Sequence, residues 1–281
     1  DIVTGQKVAE TDAAGLKAGV RVSIKFPSEP YVLAVGGKAE LAGFKGIYRN
    51  AEVFAGMQKI AAIENPEVAI AVADVPGIKV GIYQNAYGAD EIYKQLSKCK
   101  EFNCFYLPRL DAECMQHAEV IIIPQPRAKI YLDNAVGLIK SMVKHGKGLI
   151  LTHDSALKAQ TMFPNVIKGN NGKIEKIKDN KLKILPGHPV TATFKAGEQY
   201  VPGFAYDHYA LLPGKNARIL AQDMQGNNVI IAGNCEKGKV VVFGTLPGVF
   251  CLWNDCGRHL EKDLQGCEFR ILADSIKWLK P

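Results

Sequence analysis

An apolar run, Gly-Leu-Ile-Leu-Thr (148–152), leads directly into His153-Asp154-Ser155-Ala156. A strand that ends in a sharp turn before a helix exposes the residue at the turn, the setting in which nucleophile elbows occur. These residue types open three chemistries. The imidazole of His153 titrates near neutrality and, beside the Asp154 carboxylate, suits a general base. With His188 and Asp207 or His208 it would complete a donor set common for zinc and similar divalent ions. Ser155 would act as a nucleophile only with a dedicated base and oxyanion donors. A structural reading stands beside all three, with Asp154 capping a helix that begins at Ser155. No contiguous His-x-x-x-His or Glu-x-x-His spacing occurs. No resident cofactor is therefore expected, and a divalent metal at His153, His188, Asp207 and His208 depends on the fold bringing them together.

Other candidates lie outside the elbow. His188, between Gly187 and Pro189, belongs to a turn, and its plain alternative is an exposed loop histidine. Asp207-His208, flanked by Tyr206 and Tyr209, has the make-up of a sugar-binding edge, in which rings stack and polar groups hydrogen-bond; the alternative is a pair of half-buried tyrosines. Asn85 lies in a polar turn, and Gln125 and Arg127 follow an apolar run that stops at Pro124. Arg127 suits a carboxylate or phosphate, or a structural ion pair. Trp253 stands between Cys251 and Cys256, in a loop expected at the same rim.

The elements that must position these residues follow from periodicity. From Ile78 onward, continuous apolar strands alternate with amphipathic helices, which predicts a mostly parallel sheet covered on both faces. The strands are read over 79–83, 105–107, 120–123 and 148–152, with helices over 89–98 and 131–145. In such sheets ligands bind beyond the carboxyl ends of the strands, which selects the loops starting at Gln84, Pro124 and Thr152. Later, Lys173–Leu185 reads as a hairpin turning at Asp179-Asn180. Two strands follow over 228–232 and 239–244, and a last helix over 268–279. Before residue 77 the pattern differs. Two extended segments are expected within Val20–Val35, a helix over 50–63 and a strand over 68–75, forming a small α+β or mostly β unit.

Composition excludes several classes. The 281 residues are 47% hydrophobic and 22% charged, the balance of an ordinary globular protein, so wholesale disorder, collagen and coiled coil are excluded. No apolar run approaches the roughly 20 residues of a membrane span, and no membrane partner is expected. The net charge of +7 suggests nucleic acid until it is located. Residues 1–77 hold eight Lys/Arg against nine Asp/Glu, and Lys168–Lys183 alone holds six lysines against Glu175 and Asp179. That stretch has no aromatic residue to stack a base and no Arg to fork a phosphate, so a solvated hairpin is expected and nucleic acid is not. All seven cysteines follow residue 98, without a Cys-x-x-Cys pair. Cys99 with Cys104, and Cys251 with Cys256, could close small loops in an oxidising compartment. With a first residue other than Met, they favour an exported protein over a cytoplasmic one.

The strand, the elbow and the preceding Lys-His-Gly-Lys-Gly resemble the class I glutamine amidotransferase-like superfamily, and within it the trehalose-utilisation (ThuA-like) branch. The resemblance runs from about Lys79 to the C-terminus. It takes in Val-Ile-Ile-Ile-Pro (120–124), His188-Pro189-Val190, Asp207-His208-Tyr209 and Gly238–Phe243. It implies a three-layer, flavodoxin-like α/β domain over 78–281, with residues 1–77 as a small separate domain. A glutaminase of this superfamily needs a Cys at the elbow, a His after a late strand and a glycine-rich oxyanion loop. Here the elbow offers His153, Thr245-Leu246-Pro247-Gly248-Val249 follows the late strand, and Gln125-Pro126 replaces the glycines. Proline has no N–H to donate. The resemblance thus implies a non-glutaminase protein that binds or modifies a carbohydrate-related small molecule around His153. The alternative is a catalytically inactive interaction or assembly protein with a degenerate elbow, and a homo-oligomer is compatible with either.

Overall fold

The computed structural model describes residues 75–127, 129–175, 181–204, 206–249 and 266–281, together with two strands earlier in the chain. The chain divides into two compact units, Asp1–Ala69 and Ile70–Pro281. In the first, β1 (Ala51–Ala55) and β2 (Gln58–Ile63) form an antiparallel pair with a register shift between Val53 and Phe54. The helix expected over 50–63 is therefore a hairpin. Val53, Phe54, Ile60 and Ile63 are strand formers, and Gly56 favours a turn over a helix interior. The segments expected within Val20–Val35 lie outside the described residues, as does nearly all of 68–75.

The second unit is built on a nine-stranded sheet in the order β11-β10-β13-β14-β15-β8-β6-β3-β5. Its parallel half holds β3 (Ile78–Tyr83), β5 (Phe102–Leu107), β6 (Val120–Ile123), β8 (Gly148–Thr152) and β15 (Gly238–Phe243). β6 and β8 are buried at every position, which is why their sequences are continuous apolar runs and do not alternate. The helices are α1 (Ala89–Leu96), α2 (Ala112–Met115), α3 (Lys129–Lys144), α4 (Ala159–Met162) and α5 (Gly266–Leu279). Ile121, Ile150, Val241, Ile139 and Ile276 belong to one core and are excluded from water.

The strands expected to be parallel are so, and the other half of the sheet is antiparallel. β10 (Leu182–Ile184), β11 (Gln199–Tyr200), β13 (Ala217–Asp223) and β14 (Asn228–Cys235) all pair antiparallel, so the architecture is α/β on a mixed sheet. The predicted Lys173–Leu185 hairpin does not form. β9 (Ile167–Glu175) pairs with β12 (Asp207–Pro213) in a separate ribbon, while β10 joins the large sheet. Each pairs with segments well beyond the reach of a tight turn, a choice that a local turn signal does not encode. The turn at Asp179-Asn180 lies outside the described residues.

Three loops meet beyond the carboxyl ends of the parallel strands. The short strands β4 (Ala86–Tyr87) and β7 (Gln125–Pro126) pair and join the loops after β3 and β6. The loop after β15 closes on them through two glycines with left-handed backbone. A Cβ on Gly88 (φ +81°) would stand 2.4 Å from the Pro247 carbonyl, and one on Gly248 (φ +81°) 2.6 Å from that of Gly88. Only glycine permits both the backbone and the approach.

Candidate functional site

The chain leaves β8 at Thr152 and turns at His153, whose φ of 49° lies in the left-handed region. A non-glycine residue held there costs roughly 1–2 kcal/mol, a strain found at functional turns. A 3-10 helix, His153–Lys158, follows. Ser155 holds the turn. Its Oγ accepts from the Thr152 N–H (2.7 Å) and shares its proton between the carbonyls of Ile123 and Thr152, both at 2.8 Å. The hydroxyl is buried and committed to backbone, so Ser155 is a pin between β6 and β8 and not a nucleophile. Asp154 is no helix cap. Its Oδ1 accepts from the Tyr209 hydroxyl at 2.9 Å, and its Oδ2 lies 3.5 Å from Gln125 Nε2.

The His153 ring is 2% exposed and lies between two carboxylates. Nε2 donates to Asp207 Oδ1 at 2.5 Å. Nδ1 lies 3.2 Å from Asp154 Oδ1 but out of line for a hydrogen bond, so that contact is electrostatic. Phe204 and Tyr209 pack edge-on to the ring, at centroid distances of 5.6 and 5.1 Å. Asp207 Oδ2 also meets the Lys173 ammonium, 3.2 Å away. Burial by itself would lower the His153 pKa, but Asp154 and Asp207 outweigh it and raise it, favouring the imidazolium. Burial would raise Asp207, yet His153 and Lys173 hold it below its ordinary value. Burial, together with Asp154, pushes the Tyr209 hydroxyl up, so it stays a donor. The assembly is an imidazole held between two carboxylates, with a lysine at the edge of one of them.

The remaining candidates separate. Alternation along β12 sends His208 to the face opposite Asp207, where its Nε2 lies 3.1 Å from Asp223 Oδ2. Asp223 also accepts from the backbone N–H groups of Gln225 and Asn227 and from Asn227 Nδ2. His208 is thus structural, and burial lowers its pKa despite Asp223. His188 caps the 3-10 turn Pro189–Thr191, its Nδ1 accepting from the Val190 N–H at 3.2 Å, and its ring packs edge-on to Trp278. The Trp278 carbonyl accepts from Lys239 at the amino end of β15, so His188 lies at the end of the sheet remote from His153. His153, His188, Asp207 and His208 are therefore not brought together as one donor set. Among the described residues, no group of three His, Cys, Asp or Glu side chains is placed to hold an ion.

Asn85 joins the site region through its carbonyl, which accepts from the Arg127 N–H at 3.0 Å, and the Arg127 guanidinium lies 4.7 Å over the Tyr87 ring. Trp253 lies outside the described residues, as do Cys251 and Cys256. Cys99 and Cys104 are free thiols, so that expected loop closure is not formed and lends no support to export. Burial pushes Cys104 up to about 12 and Cys114 to about 11. Among the described residues, no helix is long and apolar enough to cross a membrane.

Sequence reading missed four groups. Lys173 was counted with a solvated lysine run, although its place opposite Tyr209 in the β9–β12 ribbon sets it beside Asp207. Phe204 had no motif. Glu268, near the start of α5, is buried; its Oε2 accepts from the Gly203 N–H at 3.2 Å, and among the described residues neither its Oε1 nor the buried Tyr200 hydroxyl has a partner. Burial pushes the Glu268 carboxyl up to about 8. An acidic residue on the buried face of a helix was its only sequence signal.

No protein-family model matches the chain, and no curated protein matches it. Solved structures of similar fold include two with the following likeness. One is a ThuA-like protein from Bacteroides uniformis, with TM-score 0.52 and 15% identity, covering 74% of this chain and 93% of that one. The other is a cytoplasmic protein from Salmonella typhimurium LT2, with TM-score 0.51 and 15% identity, covering 72% and 99%. At such identity the likeness speaks for the fold alone, and this chain shares the fold of these two proteins.

Proposed function

We propose that the second unit binds a carbohydrate-related small molecule at the rim around His153, without glutaminase chemistry. The observation that carries this is the strained elbow, which places a histidine between two carboxylates where superfamily glutaminases would need a cysteine. The His153 ring and Lys173 hold the Asp207 carboxyl below its ordinary value, which favours its ionised form. Ionised carboxylates accept two or more hydroxyl hydrogen bonds each, the requirement of a polyol. Asp154 is the more accessible of the two, oriented by Tyr209 and close to Gln125. Tyr87 and Tyr206, packed against Phe204, Leu246 and Val249, supply aromatic surface at the same loops. None of the five described cysteines stands at the elbow.

Calorimetric titration of the full chain with neutral sugars and polyols tests this reading, comparing wild type with His153→Ala and Asp154→Asn. Saturable binding that falls at least about tenfold in both variants supports it. Asp154→Asn preserves shape, so its loss of binding does not depend on tolerance of the elbow replacement. Failure of every sugar to bind the folded wild type overturns the reading in favour of an assembly role.

A further inference from the structure

We propose that the rim selects an anionic polyol, a sugar acid or sugar phosphate, and that Lys173 is the residue that meets its charged group. The inference rests on the polyol reading above and names the class of polyol. The floor of the site sets one imidazole against two carboxylates, with His153 taking Asp207 Oδ1 and lying against Asp154. Lys173 brings a second positive charge to Asp207 Oδ2 at 3.2 Å, and it differs from its partner in access. Its side chain is 33% exposed and that of Asp207 is 5% exposed.

A lysine ammonium has three donors, and Asp207 takes one of them. The head is also steadied 5.5 Å over the Tyr209 ring. Lys173 is therefore a cation held beside Asp207, with a third of its side chain exposed. A second cation borders the same loops. The exposed Arg127 lies over the face of Tyr87, two residues beyond the Gln125 that approaches Asp154. A ligand with hydroxyls alone makes no ion pair with Lys173. One with a carboxylate or phosphate at its end gains a charge-assisted hydrogen bond while its hydroxyls engage Asp154.

The test titrates the full chain with D-glucuronate, D-glucose 6-phosphate and D-glucose, in wild type, Lys173→Gln and Lys173→Arg, with thermal melts to verify folding. Wild type should bind one or both anionic sugars at least about tenfold tighter than glucose, and the preference should shrink as salt rises. In Lys173→Gln the ratio should fall to about one, and Lys173→Arg should retain most of it. The stronger of the two anionic probes identifies carboxylate or phosphate as the natural group. Equal wild-type affinities for charged and neutral sugars overturn the proposal, as does a preference that survives in Lys173→Gln. Either result leaves the polyol reading intact. If no sugar binds at all, both fall.

Discussion

Two buried histidine–carboxylate pairs meet at β12, one on each face, and they differ in almost everything but composition. His208 sits in regular strand backbone against Asp223, a carboxylate already saturated by the turn between β13 and β14. Burial dominates there and lowers the histidine pKa, so the pair is a neutral ring hydrogen-bonded into the core. His153 sits in a left-handed turn between two carboxylates, and its pKa is raised. One pair is a fastening. The other is a charged cluster with a lysine at its edge. The pairing of His with Asp therefore says nothing about role; the count of neighbouring charges, the backbone and the access of the rim decide it.

Glu268 sharpens the contrast because it is a buried carboxyl with no histidine. Its pKa is raised from 4.5 to about 8, so the folded state binds its proton more tightly than the unfolded one. Stability should be greatest below about pH 4.5 with respect to this group and fall as pH rises towards 8, at about 1.4 kcal/mol per pH unit. Urea denaturation across that range should show the slope in wild type and a flattened one in Glu268→Gln.

The next largest effect belongs to the fastening. Removing the ring in His208→Ala should cost about 2–3 kcal/mol in denaturant melts, through a lost hydrogen bond to a buried charge and a cavity. Sugar affinity of the folded variant should not change. A large loss of affinity would falsify the division of labour between the two pairs. At the other pair, Asp207→Asn should lower the His153 pKa, read from imidazole NMR shifts against pH. Because the His153 pKa is raised, its contribution to folding is complete below about pH 6.5 and is lost as pH rises through the raised value, a trend the variant should weaken. The smallest effect concerns orientation. Tyr209→Phe removes the donor to Asp154 and should cost about 1 kcal/mol of stability while weakening sugar binding.

Much of the parallel half was legible in the sequence, because β6 and β8 are buried on both faces and must be apolar throughout. The elbow was legible for the same reason, since a polar triplet directly after such a run has to stand at the strand's carboxyl end. The antiparallel half was harder. β9 and β10 look like one hairpin, yet each finds a distant partner, and burial decides such pairings more than turn residues do. The hairpin of β1 and β2 matches helical spacing at Val53, Met57, Ile60 and Ala61, so periodicity alone favoured a helix. At the site, Asp207 and His208 were equally visible as neighbours. Only the register of β12 against β9 separates them, because successive side chains on a strand face opposite ways.

By itself, the sequence determined that a histidine and not a cysteine occupies the elbow, and that the strands feeding it are buried. Those facts are local and follow from residue type and run length. Only the tertiary structure decided that His153 pairs with Asp207, 54 residues away, and that His188 and His208 do not join them. It also decided that one lysine from a charged run stands beside the pair. Direction across a strand, and distance between loops that meet only when the sheet is complete, are not properties of any short stretch of chain.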